Sequence, residues 1–311
     1  RSAKDYVEVD LHEASALSPI IGSCHRFDMG DVKYGTIEHY HNAQTNNYLI
    51  AREILEADLV ISVPKLKTHR MAGLTCAMKN LVGINGEKER IAHFRRGVKG
   101  RNADEFEKFN LRVFLRERIW TYLKSLGFGW SKWLMTRMKR FVQRMFWHGK
   151  SYEEVYAVTP PKLYREGGWQ GNDTLWRCVH DLNRILLYAD RAGRLQPTVQ
   201  RQVLYLVDGI VAGEGEGPLA NTPKPLGVIF GGTSAVAVDF AAAAVMRFDY
   251  HGLPLIQHAF DAHPYPLIEK KPGICRAKIS SDSVQSSPIP NANEKPILAV
   301  NCLRAESEAP W

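Results

Sequence analysis

The sequence predicts an α/β protein with mostly parallel sheets flanked by helices, arranged as two lobes with a basic helical insertion. Short apolar runs have the length of buried strands, and each ends in polar residues or glycine: Leu59–Val63, Val203–Val207 and Leu226–Phe230. Amphipathic stretches at helical spacing alternate with these runs, which is typical of parallel sheets covered by helices. Positive charge is concentrated in one segment, since residues 88–150 hold 17 Lys and Arg against 5 Asp and Glu.

The composition is that of a globular protein, with 311 residues, 45% apolar residues and a formal net charge of +8. No apolar run is long enough to span a membrane. The five cysteines are scattered and form no Cys-x-x-Cys pair, which argues against a disulfide framework, a zinc ribbon and an iron–sulfur cluster. We therefore expect a cytoplasmic protein. Because the chain starts at Arg1, we expect its natural N-terminus to be missing or processed.

Two regions of the chain are predicted to form an α/β body that carries the site, residues 1–100 and 203–311. Residues 101–202 are predicted to form the basic insertion and the second lobe. Within them, residues 103–148 are predicted to form two helical stretches, and the second, Trp130–His148, has aromatic and apolar side chains on one side and mostly basic ones on the other. This pattern fits packing on the protein's own domain or over a site, and it also fits peripheral contact with a membrane. The candidate segment for membrane contact is residues 111–148. Nucleic acid and a protein partner fit less well.

Taken in order, the first half of the chain begins with a strand at Tyr6–Asp10. A helix at Tyr48–Glu56 is predicted to present Tyr48, Ile50 and Leu55 to the core. The strand Leu59–Val63 ends at Pro64, which cannot donate to a sheet ladder. A polar loop is expected next, and then a helix from Gly73, because Leu74, Ala77, Met78, Leu81 and Val82 recur at helical spacing.

In the second half, Asn172 or Asp173 is predicted to cap a helix that runs through Cys178 and Leu182 to Ala189. The strand Val203–Val207 is expected to lead into a glycine-rich loop at Gly209–Pro218. After the strand Leu226–Phe230 come two glycines, two hydroxyl residues and an apolar helix at Ala235–Met246.

Basic and polar side chains follow the strand Leu59–Val63. Ligands of open α/β sheets bind beyond the carboxyl ends of strands, so this position predicts a site for an anion or a metal. Lys65, Lys67 and Lys79 are predicted to orient an anionic substrate, and His69 to carry a proton near neutral pH. The remaining substrate-binding candidates near this cluster are Thr68, Asn80 and Arg95.

Further candidates come from the second half of the chain. Trp169 and Arg177 are predicted to close over a ligand. Thr233 follows a glycine turn whose backbone N–H groups are suited to a phosphate or carboxylate. The carboxylates are expected to hold a divalent metal or to pair with the lysines: Asp208, Glu214 and Asp239.

Two motifs resemble those of the family called domain of unknown function 362. The first runs from Ala57-Asp58 through Val63-Pro64-Lys65-Leu66-Lys67-Thr68-His69 and Gly73 to Lys79-Asn80-Leu81-Val82-Gly83. The second is Val207-Asp208-Gly209-Ile210-Val211, then Glu214-Gly215-Glu216-Gly217-Pro218 and Ala235-Val236-Ala237-Val238-Asp239. The resemblance covers most of residues 45–260. Many members carry an added ferredoxin-like domain, whose cysteines this sequence lacks.

The order of four residues is also similar, more distantly, to lactate racemases with a nickel-pincer cofactor. By that likeness His69 is the acid/base group, Lys79 anchors the cofactor and His93 is a metal ligand. Gly73 lies between His69 and Lys79 in the sequence. The sequence departs from the racemases at Cys76-Ala77-Met78, where that family has glycines.

Together these observations predict a cytoplasmic enzyme that acts on a small carboxylate or phosphate by lysine and histidine acid–base chemistry. A racemase-like or other isomerisation, with assistance from a metal or cofactor, fits the cluster best. The alternative is a non-catalytic accessory protein that docks on a membrane or an anionic partner through residues 88–150.

Overall fold

The structure is a computed structural model that describes residues 5–30, 32, 35–107, 137, 167–168, 171–218 and 220–268, with the backbone of residues 278–279 and 300–302. The strands are β1 (Tyr6–Asp10), β2 (Phe27–Asp28), β3 (Asn47–Ala51), β4 (Leu59–Ser62), β5 (Lys65–His69), β6 (Gly73–Thr75), β7 (Phe94–Arg95), β8 (Gln202–Glu216), β9 (Ala220–Gly232), β10 (Lys278–Ile279) and β11 (Val300–Cys302). The α-helices are α1 (Arg52–Glu56), α2 (Ala77–Asn80), α3 (Leu175–Tyr188), α4 (Ala235–Val245) and α5 (Pro254–Gln257). Short 3-10 helices cover His12–Ala14, Ser18–Arg26, Ile37–His39, Leu81–Ile84, Lys88–Arg90, Tyr250–Gly252 and His258–Phe260.

A long antiparallel hairpin, β8–β9, organises the main sheet. The opposite edge of β8 pairs in parallel with β4 and then with β5, and β5 pairs antiparallel with β6. Beyond β9 lie β11, which is parallel to it, and β10, which is antiparallel to β11. A separate pair joins β1 and β3, and another joins β2 and β7. The predicted α/β class is confirmed, and the sheet contains both parallel and antiparallel pairs.

Strands β4 and β5 follow the same edge of β8 and are interrupted only at Val63 and Pro64. The backbone N–H of Asp208 in β8 donates to the carbonyl oxygen of Pro64 at 2.9 Å. The predicted end of β4 at this proline is confirmed to within a residue. The prediction of a polar loop after it is wrong, because Lys65–His69 forms the strand β5. The fully buried side chain of Leu66 and the free edge of β8 favour an extended backbone here.

The helix predicted from Gly73 is also wrong in its first part. Gly73–Thr75 forms β6, which folds back on Lys67–His69, and the helix α2 covers only Ala77–Asn80. Gly73 has a φ of +79°, a left-handed conformation that suits glycine at this reversal of the chain. The spacing of the apolar residues fits a helix, but residues 73–75 pair with β5 and therefore form a strand.

The segment predicted as a helix at Tyr48–Glu56 is divided in two. Asn47–Ala51 is β3, which pairs antiparallel with β1, and only Arg52–Glu56 is helical. Tyr48 and Ile50 are both fully buried, and their spacing of two residues is that of one face of a strand. The predicted strand at Tyr6–Asp10 is confirmed as β1.

The two longer helices agree with prediction. α3 begins at Leu175, shortly after the predicted cap, and Asn172 Oδ1 accepts hydrogen bonds from the backbone N–H groups of Thr174 (3.1 Å) and Leu175 (2.9 Å). α4 begins after Ser234, whose Oγ accepts from the backbone N–H of Ala237 at 3.3 Å. Both helices pack against α2.

The glycine-rich loop predicted at Gly209–Pro218 is wrong, because β8 continues to Glu216 and stays paired with β9. Here glycine permits close approach of neighbouring strands. A Cβ on Gly209 would lie 2.6 Å from the side chain of Val228, and one on Gly217 would lie 1.9 Å from the carbonyl oxygen of Thr68. The glycines therefore allow packing of the hairpin rather than forming a loop.

The basic segment 111–148 lies outside the described residues, apart from Arg137. The two lobes, the basic insertion and its contacts with membrane, nucleic acid or protein therefore stay predictions. Among the residues that are described, no helix combines the length and the apolar character needed to cross a membrane.

Candidate functional site

Four of the predicted site residues lie close together, and we call them the cation cluster: Lys67, His69, Lys79 and His93. Lys67 and His69 belong to β5, Lys79 to α2, and His93 to the segment before β7. Lys67 and His69 are two positions apart on β5 and therefore lie on the same face, and the β6 strand that pairs with them leads directly into α2. The positive charges of Lys79, His93 and Lys67 all lower the pKa of His69. Neighbouring Arg70, which is exposed, adds a further charge. The fold thus gathers side chains that are up to 26 positions apart in the sequence.

His69 is buried, and its hydrogen bonds fix the position of its proton. Its Nδ1 accepts from the backbone N–H groups of Met71 and Ala72, each at 3.2 Å. The neutral ring must therefore carry its hydrogen on Nε2. Burial, followed by the charges of Lys79 and His93, lowers the pKa of His69 to about 2. The expected proton exchange near neutral pH is not supported, and His69 is suited instead to donate a hydrogen bond from Nε2.

Lys79 is 9% exposed and makes no hydrogen bond or ion pair with the other described residues. Burial lowers the pKa of Lys79 to about 8; Cys178 acts in the opposite direction, and the charge of Lys67 lowers the pKa further. About a tenth of Lys79 is then a neutral amine at pH 7.

Helix α2, which carries Lys79, is held from three sides. Both oxygens of Asp239 in α4 accept from the start of α2, from the N–H of Ala77 at 2.6 Å and from that of Met78 at 3.1 Å. Asn183 of α3 donates to the carbonyl oxygen of Met78 at 3.1 Å. At the other end of α2, Asn80 donates to Ser62 Oγ at 2.9 Å. A helix of one turn needs such external partners, because few of its backbone groups bond internally.

Asp239 is therefore neither a metal ligand nor the partner of a lysine. Its side chain is fully buried, and burial raises its pKa to about 7, although the N–H groups of Met78 and Ala77 and the thiol of Cys76 act in the opposite direction. The sequence indicates a carboxylate that is costly to bury without partners. Only the fold shows that its partners are backbone groups of α2.

The other predicted metal ligands do not converge either. Asp208 forms an ion pair with Lys65, with 2.6 Å between Oδ2 and Nζ, and Glu214 pairs with Lys224 at 2.9 Å. His93 Nδ1 lies 3.2 Å from the carbonyl oxygen of Ile91. In the described part of the chain, no group of three or more His, Cys, Asp or Glu side chains could hold a metal ion. The predicted metal set of His93, Asp208, Glu214 and Asp239 is thus not supported.

Two predicted substrate-binding arginines share one aspartate instead. Arg95 Nη2 lies 3.0 Å from one carboxylate oxygen of Asp173, and Arg177 Nη2 lies 2.9 Å from the other. Arg95 also pairs with Asp104 at 3.4 Å, and Arg177 lies over the ring of Trp176. Because their charges are already matched inside the protein, these arginines stabilise the start of α3 and are poorly suited to bind a substrate.

The remaining predicted substrate-binding residues are Thr68, Thr233 and Trp169. Thr68 Oγ1 donates to the carbonyl oxygen of Gly215 and accepts from Asn221 Nδ2, both at 2.8 Å, so it fastens β5 to the hairpin. Thr233 is exposed and lines a groove of about 860 Å³ whose lining does not include the cation cluster. Trp169 lies outside the described residues.

Sequence reasoning did not single out Cys178. It lies on α3, fully buried beside Lys79, and burial raises its pKa to about 12, so it is a neutral thiol. Its neighbour Tyr48 donates to Asp181, with 3.0 Å between the oxygens. Both residues occur within helical or strand patterns that look like ordinary core, so no local signal points to them.

The comparisons with known proteins support the first resemblance. The family model described as Domain of unknown function (DUF362) matches residues 16–244, which include the whole cation cluster, α2 and Asp239. Among curated proteins and solved structures nothing matches the chain, so the distant likeness to lactate racemases is not supported by them. The match covers more than half of the chain. The protein therefore belongs to the DUF362 family.

Proposed function

We propose that the protein is an enzyme that binds a small carboxylate or phosphate at the cation cluster and moves a proton with Lys79. The observation that carries this proposal is the absence of matching negative charge: within the described structure, Lys67 and Lys79 form no ion pair with any carboxylate. Cations grouped without partners repel one another, so an anionic ligand would be stabilised at this position.

The roles divide according to the protonation states of the side chains. Lys67 supplies positive charge for the anionic group of the substrate. His69 offers its Nε2–H to a carbonyl or developing oxyanion, where a neutral donor stabilises charge. Lys79, with a pKa near the working pH, is suited to accept and return a proton next to that carbonyl. Proton transfer of this kind underlies isomerisation and racemisation.

The test is exchange of hydrogen for deuterium at carbon, followed by NMR in D₂O with a panel of small hydroxy acids, oxo acids and sugar phosphates. We expect deuterium to enter next to the carbonyl or carboxylate of one class. Exchange should be lost in Lys79→Met and kept in Lys65→Ala, a matched control because Lys65 already pairs with Asp208. Equal exchange by wild type and Lys79→Met would contradict the proposal.

A further inference from the structure

The geometry of Lys79 points to covalent chemistry, and we propose that its amine captures an anionic aldehyde or ketone as an imine. This inference rests on the proposed anion site and names its substrate class, a carbonyl compound that carries a carboxylate or phosphate group. It changes the role of Lys79, which activates the neighbouring C–H bond through an imine and does not take the proton itself as a free amine.

The first argument is the position of the amine. Lys79 is 9% exposed, and Asp239 and Asn183 hold the helix α2 that carries it. None of the described carboxylates forms an ion pair with its amine. A lysine becomes a nucleophile when it is desolvated and placed beside other cations. Lys67 is such a cation, and the lowered pKa agrees with this reasoning.

The second argument is the neighbouring donor. Because Nδ1 of His69 already accepts from Met71 and Ala72, the ring presents Nε2–H, which can polarise a carbonyl oxygen without giving up its proton. A protonated histidine here would add charge, whereas a neutral donor activates the carbonyl and leaves the cations to the acid group. The site therefore holds the three elements that imine formation requires: a nucleophilic amine, a donor to the carbonyl and positive charge for the acid group.

The chemistry balances without an oxidant or a cofactor. The lone pair of the Lys79 nitrogen forms a bond to the carbonyl carbon, and the π pair of the carbonyl moves to oxygen, which takes a proton that the nitrogen releases. The resulting carbinolamine takes up one proton from solvent, loses its hydroxyl as water and becomes a protonated imine. The positive imine then withdraws electrons from the neighbouring carbon, which makes a hydrogen there more acidic.

The test uses glyoxylate, a small anionic aldehyde, with sodium borohydride, which reduces an imine to a stable secondary amine. Intact mass and peptide mapping then locate the carboxymethyl group on the full chain. We expect Lys79 to be modified at least tenfold faster than Lys65, Lys67 and the other mapped lysines. Excess acetate, which occupies the anion site and has no reactive carbonyl, should slow the modification.

Two variants separate this inference from the proposed function. Lys79→Arg keeps the charge but cannot form an imine, so it should bind acetate in calorimetry and lose the selective labelling. Lys67→Ala should keep Lys79 and label more slowly, because the anionic group is held less well. Labelling spread evenly over surface lysines, with acetate still bound, would overturn the imine proposal and leave the anion site intact. If the folded wild-type protein does not bind acetate, both the imine proposal and the proposed function are overturned.

Discussion

Two groups of basic side chains among the predicted site residues differ in their partners. Arg95 and Arg177 are held by Asp173, and Lys65 is held by Asp208. Lys67 and Lys79 in the cation cluster have no carboxylate partner in the described structure.

Matched charges contribute to the architecture, whereas burial destabilises an unmatched charge until a ligand or the loss of a proton compensates it. This comparison teaches that charge type alone does not identify a binding residue. What distinguishes Lys67 and Lys79 is that no carboxylate of the described residues forms an ion pair with either of them.

The largest effect is expected at Asp239, which holds the cluster's helix in place. Asp239→Ala leaves the N–H groups of Ala77 and Met78 without acceptors in a buried site, and each such loss costs about 1–3 kcal/mol. We expect the free energy of unfolding to fall by about 2–5 kcal/mol in urea denaturation. The control is Asp208→Ala, an exposed ion-pair partner, which should cost less than about 1 kcal/mol. Equal losses would remove the distinction between the two aspartates.

Asp239 also predicts how stability depends on pH. Burial raises its pKa to about 7 from an ordinary 3.8, so between these values the folded protein binds more protons than the unfolded chain. The contribution of this group to stability is therefore greatest below pH 4 and is lost as the pH rises through 7. Asp239→Asn should flatten that part of the curve in thermal unfolding measured at several pH values. An unchanged slope in the variant would show that other groups cause it.

The next effect concerns the unmatched lysine directly. Lys79→Met removes a charge that attracts the anion, and we expect the Kd for acetate or phosphate to rise about tenfold, or ~1.4 kcal/mol. Because the pKa of Lys79 is about 8, wild-type affinity should decrease as the pH rises through that value. Lys79→Arg should keep its affinity above pH 8, since arginine stays charged. Calorimetry across this pH range checks both expectations, and identical pH curves for wild type and Lys79→Arg would contradict them.

The smallest effect is expected at the paired lysine. Lys65→Ala removes an ion pair in which both side chains are more than a third exposed, so solvent screens most of its energy. We expect a loss of stability below about 1 kcal/mol and unchanged anion affinity, measured by the same unfolding and calorimetric titrations. A clear loss of affinity in Lys65→Ala would mean that Lys65 leaves Asp208 to bind the ligand.

Part of this arrangement could be predicted from local pattern. The strand at Leu59, the helix through Leu182 and the apolar helix that contains Asp239 all agree with the sequence, because burial of one face or of a whole short run leaves a periodic signal. The sequence also predicts that Lys67, His69 and Lys79 lie near one another, since few residues separate them and they follow a buried strand.

Errors occurred where pairing between distant segments decides the structure. The local pattern predicts a helix where the structure has β3, and a loop where it has β5. It also predicts the start of a helix at β6 and a loop in the glycine-rich part of β8. Each is held by a partner strand that local spacing does not reveal. The same reason explains Arg95 and Arg177, whose shared partner Asp173 is separated from Arg95 by 78 positions.

By itself, then, the sequence determined the α/β class, the principal helices and the presence of cations and histidines after a buried strand, because these depend on hydrophobic period and residue type. Only the tertiary structure decided which cations remain unmatched, which nitrogen of His69 carries the proton, and that Asp239 holds α2 rather than a metal. These properties arise from burial and from hydrogen bonds between residues far apart in the chain, which fix the protonation and partner of each side chain.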